Sequence, residues 1–308
     1  MALDRLAPSG TLGLAVSGGP DSLALLLLSA SARPGQVRVA TVDHGLRAES
    51  AAEAALVAAC CAELGVPHEV LTVTVARGAS LQAQAREARY AALADWAERH
   101  GLAAVAAGHH ADDQAETLLM RLARGSGVGG LRGIREERRL RGGIRLVRPL
   151  LTFRKAELVA LVEAAGWEAV NDPSNADERH DRTRVRALLA ANPWLNPERL
   201  ARSANALGEA DEALDEQLHM LASAHLEPDA SGAWIRAVYT VPREMRRRLL
   251  LMALELFSTC PSGPELDRVM AALGEGRTVT IGAALVSRRG GSWRVEPAPP
   301  RRSVAPGP

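Results

Sequence analysis

Apolar positions in the first half of the chain fall into two alternating patterns. Short, nearly continuous apolar runs occur at 11–16 (TLGLAV), 37–42 (VRVATV), 68–73 (HEVLTV) and 102–108 (LAAVAAG). Between them lie longer stretches with apolar residues three and four apart, from Ser22, from Glu49 to Leu64, from Leu81 to His100 and from Asp112 to Arg124. The first pattern predicts buried strands and the second predicts helices packed along one face. Repetition of the strand–helix unit predicts an α/β fold, a doubly wound parallel sheet with helices on both faces. Ligands of such sheets sit beyond the carboxyl ends of the strands. Three polar clusters fall at three of those ends: SGGPDS (17–22), DHGLR (43–47) and GHHADDQ (108–114).

The pattern changes after Arg124. Residues 125–150 are rich in Gly and Arg with little periodicity, which predicts a loop and a hairpin. A helix is predicted from Phe153 to Ala165, and a polar segment at 171–186 opens into another. Asn192 to Pro197 reads as a boundary. Beyond it come a long helix from Glu198 to Leu221, two helices within 242–274 and short strands within 277–295. The predicted organisation is a larger α/β domain at 1–191, a smaller, mainly helical C-terminal domain at 192–296, and a disordered tail at 297–308.

Composition narrows the function classes. The chain has 308 residues, 47% hydrophobic and 24% charged, as expected of a folded protein. None of its unbroken apolar runs, Leu23 to Leu28 and Ala54 to Ala62 among them, approaches the roughly 20 residues that span a bilayer, so no membrane partner is expected. The opening MALDRLAPSG lacks the order of a signal peptide, and a cytoplasmic location is the expectation. Three cysteines without a CxxC give neither a disulfide framework nor a cysteine metal site. Net charge is only +1, yet the segment from Arg121 to Lys155 carries ten Arg and one Lys against Glu136 and Glu137. Lys155 is the only lysine in the chain. A cluster of planar guanidinium forks suits a polyanionic partner.

The candidate chemistry begins at Ser17-Gly18-Gly19-Pro20-Asp21-Ser22, where a strand passes into a helix. Glycines let the backbone approach a ligand, and N–H groups at a helix start attract an anion. Asp21 is out of place in an anion site unless a cation such as magnesium bridges it to phosphate. No Walker A loop is present, and the GxGxxG at Gly125 to Gly130 follows a helix rather than a strand, which excludes the dinucleotide context. His109 and His110 are adjacent and HExxH is absent, so zinc is not expected.

AVSGGPDS resembles the pyrophosphate loop of the N-type ATP pyrophosphatases, the PP-loop superfamily with an adenine nucleotide alpha hydrolase-like fold. TVDHGLR (41–47), AREARY (85–90), GHHADDQAET (108–117), RGSGVGGLRGI (124–134), RPLL (148–151), DPSN (172–175) and RTRVR (182–186) occur in the order seen in the tRNA(Ile)-lysidine synthases. The match covers about residues 12 to 190. Two departures stand out: Thr183 takes the place of a common Asn, and the chain has no room for the extra C-terminal domain of longer members.

The resemblance implies an ATP-dependent ligase, cleaving ATP to AMP and pyrophosphate. The wobble cytidine of a tRNA(Ile) with a CAU anticodon would be adenylated at its C2 oxygen, and the ε-amine of L-lysine would then displace AMP. Ser17, Gly18, Gly19, Pro20, Asp21 and Ser22 would cradle ATP, with Asp21 toward Mg2+. Arg86 and Arg89, three apart on one helix face, would reach the α-phosphate. Asp43, Asp113 and Glu116 are the candidate catalytic acids, with Asp113 and Glu116 handling lysine. Spacing alone puts Asp112 and Glu116, four apart, on one face. Arg132, Arg135, Arg139, Arg182 and Arg186 would meet the tRNA. The reading is compatible with a homodimer. Another PP-loop adenylating enzyme, such as a tRNA thiolation enzyme, is the alternative, although such enzymes commonly need cysteines that this chain places poorly.

Overall fold

The computed structural model describes residues 2–7, 9–43, 45, 50–74, 81–170 and 181–299, the side chains of residues 2 and 81–83 excepted. Two compact units emerge, one of residues 1–125 and 130–208, the other of 126–129 and 209–308.

Six strands build the sheet of the first unit: β1 (Leu12–Ala15), β2 (Val37–Asp43), β3 (His68–Thr72), β4 (Ala104–Ala107), β5 (Glu137–Arg139) and β6 (Arg145–Val147), in the order β3-β2-β1-β4-β6-β5. Five run parallel; β5 lies antiparallel on β6 at the edge, so the predicted hairpin is present. After a short α1 (Ala2–Leu6), the chain winds outward through α2 (Pro20–Ala32) and α3 (Ser50–Glu63). It then returns through α4 (Leu81–Arg99) to place β4 on the other side of β1. That reversal opens a crevice at the carboxyl ends of β1 and β4.

The strands lack alternation because both faces are covered. Leu12, Leu14, Val37 and Val39 pack with Leu23, Leu25 and Leu26 of α2, Val57 and Cys60 of α3, and Leu158 and Val162 of α7 (Lys155–Ala164). On the other face Tyr90, Leu93, Trp96 and Ala97 of α4 pack with Val105, Ala107 and Leu146. Cys60 and Cys61 are buried free thiols, and burial pushes Cys61 up to about 12, which makes it inert.

Between β4 and β6 lie α5 (Ala111–Ala123) and a short α6 (Val128–Leu131). Beyond α7 come α8 (Asp181–Ala191) and the 29-residue α9 (Pro197–His225). The two units part at Gly208 and Glu209, inside α9, and not at Asn192. The reason is packing: Ala201 and Ala204 are buried, and Glu198 reaches Arg154. The first turns of α9 thus belong with the sheet domain.

The second unit combines α10 (Arg243–Glu255) and α11 (Gly263–Gly274) with a five-stranded antiparallel sheet. Its strands are β7 (Leu226–Asp229), β8 (Gly232–Ile235), β9 (Val279–Ile281), β10 (Ala284–Arg289) and β11 (Ser292–Pro297), in the order β7-β8-β11-β10-β9. The helices and the strands beyond 277 match the sequence reading, and the β7–β8 hairpin is the element that reading lacks. Leu249, Leu250, Leu266 and Leu273 meet Ile235, Val286 and Val295 in its core. Arg248 ties α10 to α9 through Asp211 and is steadied by Glu244 of its own helix, with Arg248 and Asp211 both nearly buried. Pro297 pairs with Ala284 and Ala298 donates to Ala283, so the sheet extends past the predicted start of the tail. Residues 300–308 lie outside the described residues.

Candidate active site

The loop from Ser17 to Ser22 is shaped by local chemistry. Gly18 stands at φ +84°, a conformation that side-chain-bearing residues rarely adopt. Gly19 is the N-cap of α2 and Pro20 opens its first turn, where a missing N–H costs nothing. The Ser22 hydroxyl donates to the Gly19 carbonyl at 2.9 Å and accepts from the Ser17 N–H at 3.1 Å. Among the described residues, the N–H groups of Gly18 and Gly19 have no backbone acceptor. An anion at the start of α2 would find those donors and the positive end of the helix dipole.

The β4–α5 turn is pressed against this loop. A Cβ on Gly108 would lie 2.8 Å from the Asp21 carbonyl oxygen, a separation backbone does not tolerate. Glycine is what lets the two turns meet. The contact brings His110 to Asp21, with Nε2 3.4 Å from Oδ2. His110 is also the N-cap of α5: its Nδ1 accepts from the Asp113 N–H at 3.3 Å, and Asp113 Oδ2 accepts from the His110 N–H at 3.1 Å. The cap leaves Nε2 as the protonated nitrogen, pointing its N–H at Asp21. Burial works against a charged His110, but Asp21, Asp113 and Asp112 outweigh it and raise its pKa.

The acids of α5 divide differently from the predicted i, i+4 face. Asp112 turns away, taking Arg154 through two contacts of 3.2 Å and accepting the Lys155 N–H at 2.8 Å, so it anchors the start of α7. Asp113 and Glu116 share a face and share a partner. Arg182 of α8 reaches Asp113 Oδ1 at 2.5 Å and also Glu116, whose other oxygen takes Arg186 at 2.7 Å. Both carboxylates are buried, at 8% and 4% exposure. Burial raises the Asp113 pKa despite the nearby His110 and Arg182 charges.

Ser17, Asp21, Ser22, Asp113, Arg182 and Arg186 all line one cavity of about 500 Å3, together with Arg89, His109 and Lys155. Asp43 is not among the residues lining it; its Oδ1 closes a turn by accepting the Gly45 N–H at 2.8 Å. Arg86 does not line the cavity and lies on the Tyr90 ring, 5.0 Å from its centroid. Arg132 follows α6 and lies beside Gly208 of α9, Arg135 precedes β5, and Arg139 within β5 donates to the Gly143 carbonyl at 3.0 Å. The DPSN segment and most of DHGLR lie outside the described residues. Among the described residues, no group of three or more His, Cys, Asp and Glu is arranged to hold a metal ion.

His109 is a residue whose role the sequence leaves open. Burial and the charges of Arg148, Arg89, Arg86 and Arg182 push its pKa down to about 2. The unfolded chain protonates it near pH 6.5, whereas the folded protein keeps it neutral. The unfolded state therefore binds the extra proton, and stability is lost as pH falls below 6.5. The expected loss from this group is about 2 kcal/mol between pH 6.5 and 5. Denaturant unfolding across that range should show it as a difference in slope between wild type and His109→Asn. Parallel curves would mean that His109 is protonated in the folded protein.

Comparison with known proteins adds to this geometry. The PP-loop domain matches residues 3–192. A tRNA(Ile)-lysidine synthase of Novosphingobium aromaticivorans is 49% identical over 301 residues, covering 97% of this chain and 92% of that protein. One of Zymomonas mobilis is 43% identical over 303 residues, covering 96% and 91%. One of Ruegeria pomeroyi is 44% identical over 294 residues, covering 92% and 70%. Among solved structures, the U34-tRNA thiolase NcsA of Methanococcus maripaludis aligns with a TM-score of 0.53 at 16% identity, over 68% of this chain and 77% of that one. At that identity the likeness is one of fold.

Proposed function

The chain belongs to the tRNA(Ile)-lysidine synthase family of PP-loop proteins, and from that premise we propose that it ligates L-lysine to C2 of the wobble cytidine in a CAU-anticodon tRNA(Ile). One observation carries the residue assignment: the anion loop at 17–22 and the buried acid Asp113, which shares Arg182 with Glu116, face one cavity.

The chemistry divides into two displacements. The C2 oxygen of cytidine attacks the α-phosphorus of ATP, and pyrophosphate leaves. The lysine ε-nitrogen then attacks C2, the C2–O bond breaks, and AMP leaves with that oxygen. The first step needs donors around the departing pyrophosphate, which the Gly18 and Gly19 N–H groups and the start of α2 supply. The second needs a free amine, and a lysine ammonium in water holds its proton up to about pH 10.4. Asp113 suits the role of proton acceptor because burial has already raised its pKa. Asp113 and Glu116 hold two guanidinium groups, so the pair is built for cations, and lysine brings two ammonium groups.

Asp21 fits a magnesium ion. Its Oδ1 is buried and, among the described residues, has no hydrogen-bond partner. A hard cation accepts one such carboxylate oxygen together with phosphate oxygens. Bound there, it would neutralise charge on the departing pyrophosphate.

The test mixes the purified protein with ATP, magnesium, labelled lysine and a CAU-anticodon tRNA(Ile) transcript. Label in that RNA, and none in elongator tRNA(Met), is the expected result. Pyrophosphate release with a different tRNA and no incorporated lysine would overturn the lysine assignment and favour another adenylating member of the superfamily.

A further inference from the structure

A second cationic feature lies on the α4 face of the sheet, near the carboxyl end of β6 and beside the edge strand β5. Tyr90 is 7% exposed, and three guanidinium groups stand over its ring: Arg138 at 4.1 Å from the centroid, Arg86 at 5.0 Å and Arg89 at 5.3 Å. Arg148, just past β6, is 3% exposed, and its Nη1 donates to the Arg135 carbonyl at 2.5 Å. Among the described residues no carboxylate pairs with any of the four. Among the described residues, the Nε atoms of Arg89, Arg138 and Arg148, the Tyr90 hydroxyl and His109 Nδ1 are buried without a hydrogen-bond partner. Five unsatisfied polar atoms among four like charges is a costly arrangement unless an anion completes it. Burial raises the Tyr90 pKa, but Arg89, Arg86, Arg148 and Arg138 together more than reverse it, which shows how strong the local positive field is.

We propose that Arg86, Arg89, Arg138 and Arg148 around Tyr90 form an anion pocket that takes a backbone phosphate of the RNA substrate beside the base being modified. The proposal rests on the functional reading above and gives these arginines a ligand other than ATP. The loop at 17–22 offers a nucleotide phosphate its own donors, the Gly18 and Gly19 N–H groups at the start of α2. The arginine pocket spans α4 and the β5–β6 hairpin instead, and of its residues only Arg89 and His109 line the cavity. In the other direction it continues into the exposed Arg135, Arg139 and Arg141 at the sheet edge. A chain of phosphates follows such a track, whereas a mononucleotide does not. Arginine forks and the phenol hydroxyl are donors suited to a phosphodiester oxygen. Once the phosphate is seated there, its nucleoside is delivered toward the cavity that holds Asp113.

The experiment measures binding of a CAU-anticodon stem-loop RNA and of ATP separately, without turnover. Arg138→Gln should weaken RNA binding about 10-fold and leave the ATP affinity within about twofold. It should lower the slope of log affinity against log salt by about 0.7 to 0.9, the signature of one lost phosphate contact. A neutral methylphosphonate at a phosphate flanking the wobble nucleotide should weaken binding to wild type and add nothing in Arg138→Gln. Arg86→Gln, on an exposed position of α4, repeats the measurement where folding is not at risk, and Arg138→Lys should recover part of the affinity. Weakened ATP binding with unchanged RNA binding would assign the pocket to the nucleotide. Unchanged binding of both, or equal methylphosphonate penalties in wild type and variant, would reduce the cluster to packing. Wild type that binds the RNA but transfers no lysine would sink the functional reading and leave the pocket standing.

Discussion

Asp113→Asn is expected to lower lysine transfer at least about 10^3-fold while ATP binding stays within a few-fold of wild type. The substitution preserves volume and one acceptor oxygen, so the cap on the His110 N–H survives. It removes the negative charge that faces Arg182 and any capacity to take a proton. Arg182 keeps Glu116 as a partner, so α8 retains its hold on α5. A single-turnover experiment separates the steps: pyrophosphate release reports adenylation and labelled RNA reports lysine attack. The loss should fall on the second. Asp112→Asn is the internal control, because Asp112 serves Arg154 and the Lys155 N–H. It should reduce stability more than transfer. Equal losses in both steps for Asp113→Asn would make the residue a scaffold, and an unchanged transfer rate would remove it from the reaction.

What the sequence reveals of this site follows the range of the contacts. The loop at 17–22 is legible because its function lies in consecutive residues: a glycine at positive φ, a helix cap and a hydroxyl bonded three residues back. Helical spacing makes both Asp112–Glu116 and Asp113–Glu116 plausible faces. Only the placement of α7 and α8, which are distant in sequence, decides that Asp112 meets Arg154 and Asp113 meets Arg182. The ring of arginines around Tyr90 is less visible still. Arg86 and Arg89 show as a helical pair, but Arg138 and Arg148 come from a segment with little periodicity and arrive through pairing of β5 with β6.

The fold has the same division. Parallel strands covered on both faces read clearly as apolar runs. The β7–β8 hairpin escapes because each strand has four residues and the exposed β7 carries little pattern. The turn at Asp229 to Gly232 is its remaining signal, with the Ser231 N–H donating to Asp229 Oδ1 at 2.8 Å. The division between units is hidden for another reason. It falls within one continuous helix, whose periodicity records that a face is buried and not which unit buries it.

Asp21→Asn carries the other large expected effect, a fall in pyrophosphate release of about 10^3-fold with tRNA affinity unchanged. Asn keeps an acceptor for the His110 Nε2–H, so the junction between the two turns has no reason to open. What disappears is charge at Oδ1, the buried oxygen that has no protein partner among the described residues. If that oxygen binds magnesium, the variant should also need more of the ion for half-maximal rate. Ser22→Ala is the graded comparison. It removes the acceptor of the Ser17 N–H and the donor to the Gly19 carbonyl, and two such bonds at about 1 kcal/mol each predict a loss nearer 30-fold, without a change in magnesium dependence. The two variants therefore separate electrostatics from loop geometry. Equal rate losses with the same magnesium curve would mean that Asp21 only shapes the loop. A displaced curve for Asp21→Asn alone would place the ion at that carboxylate, because the hydroxyl of Ser22 touches the same loop without touching the charge.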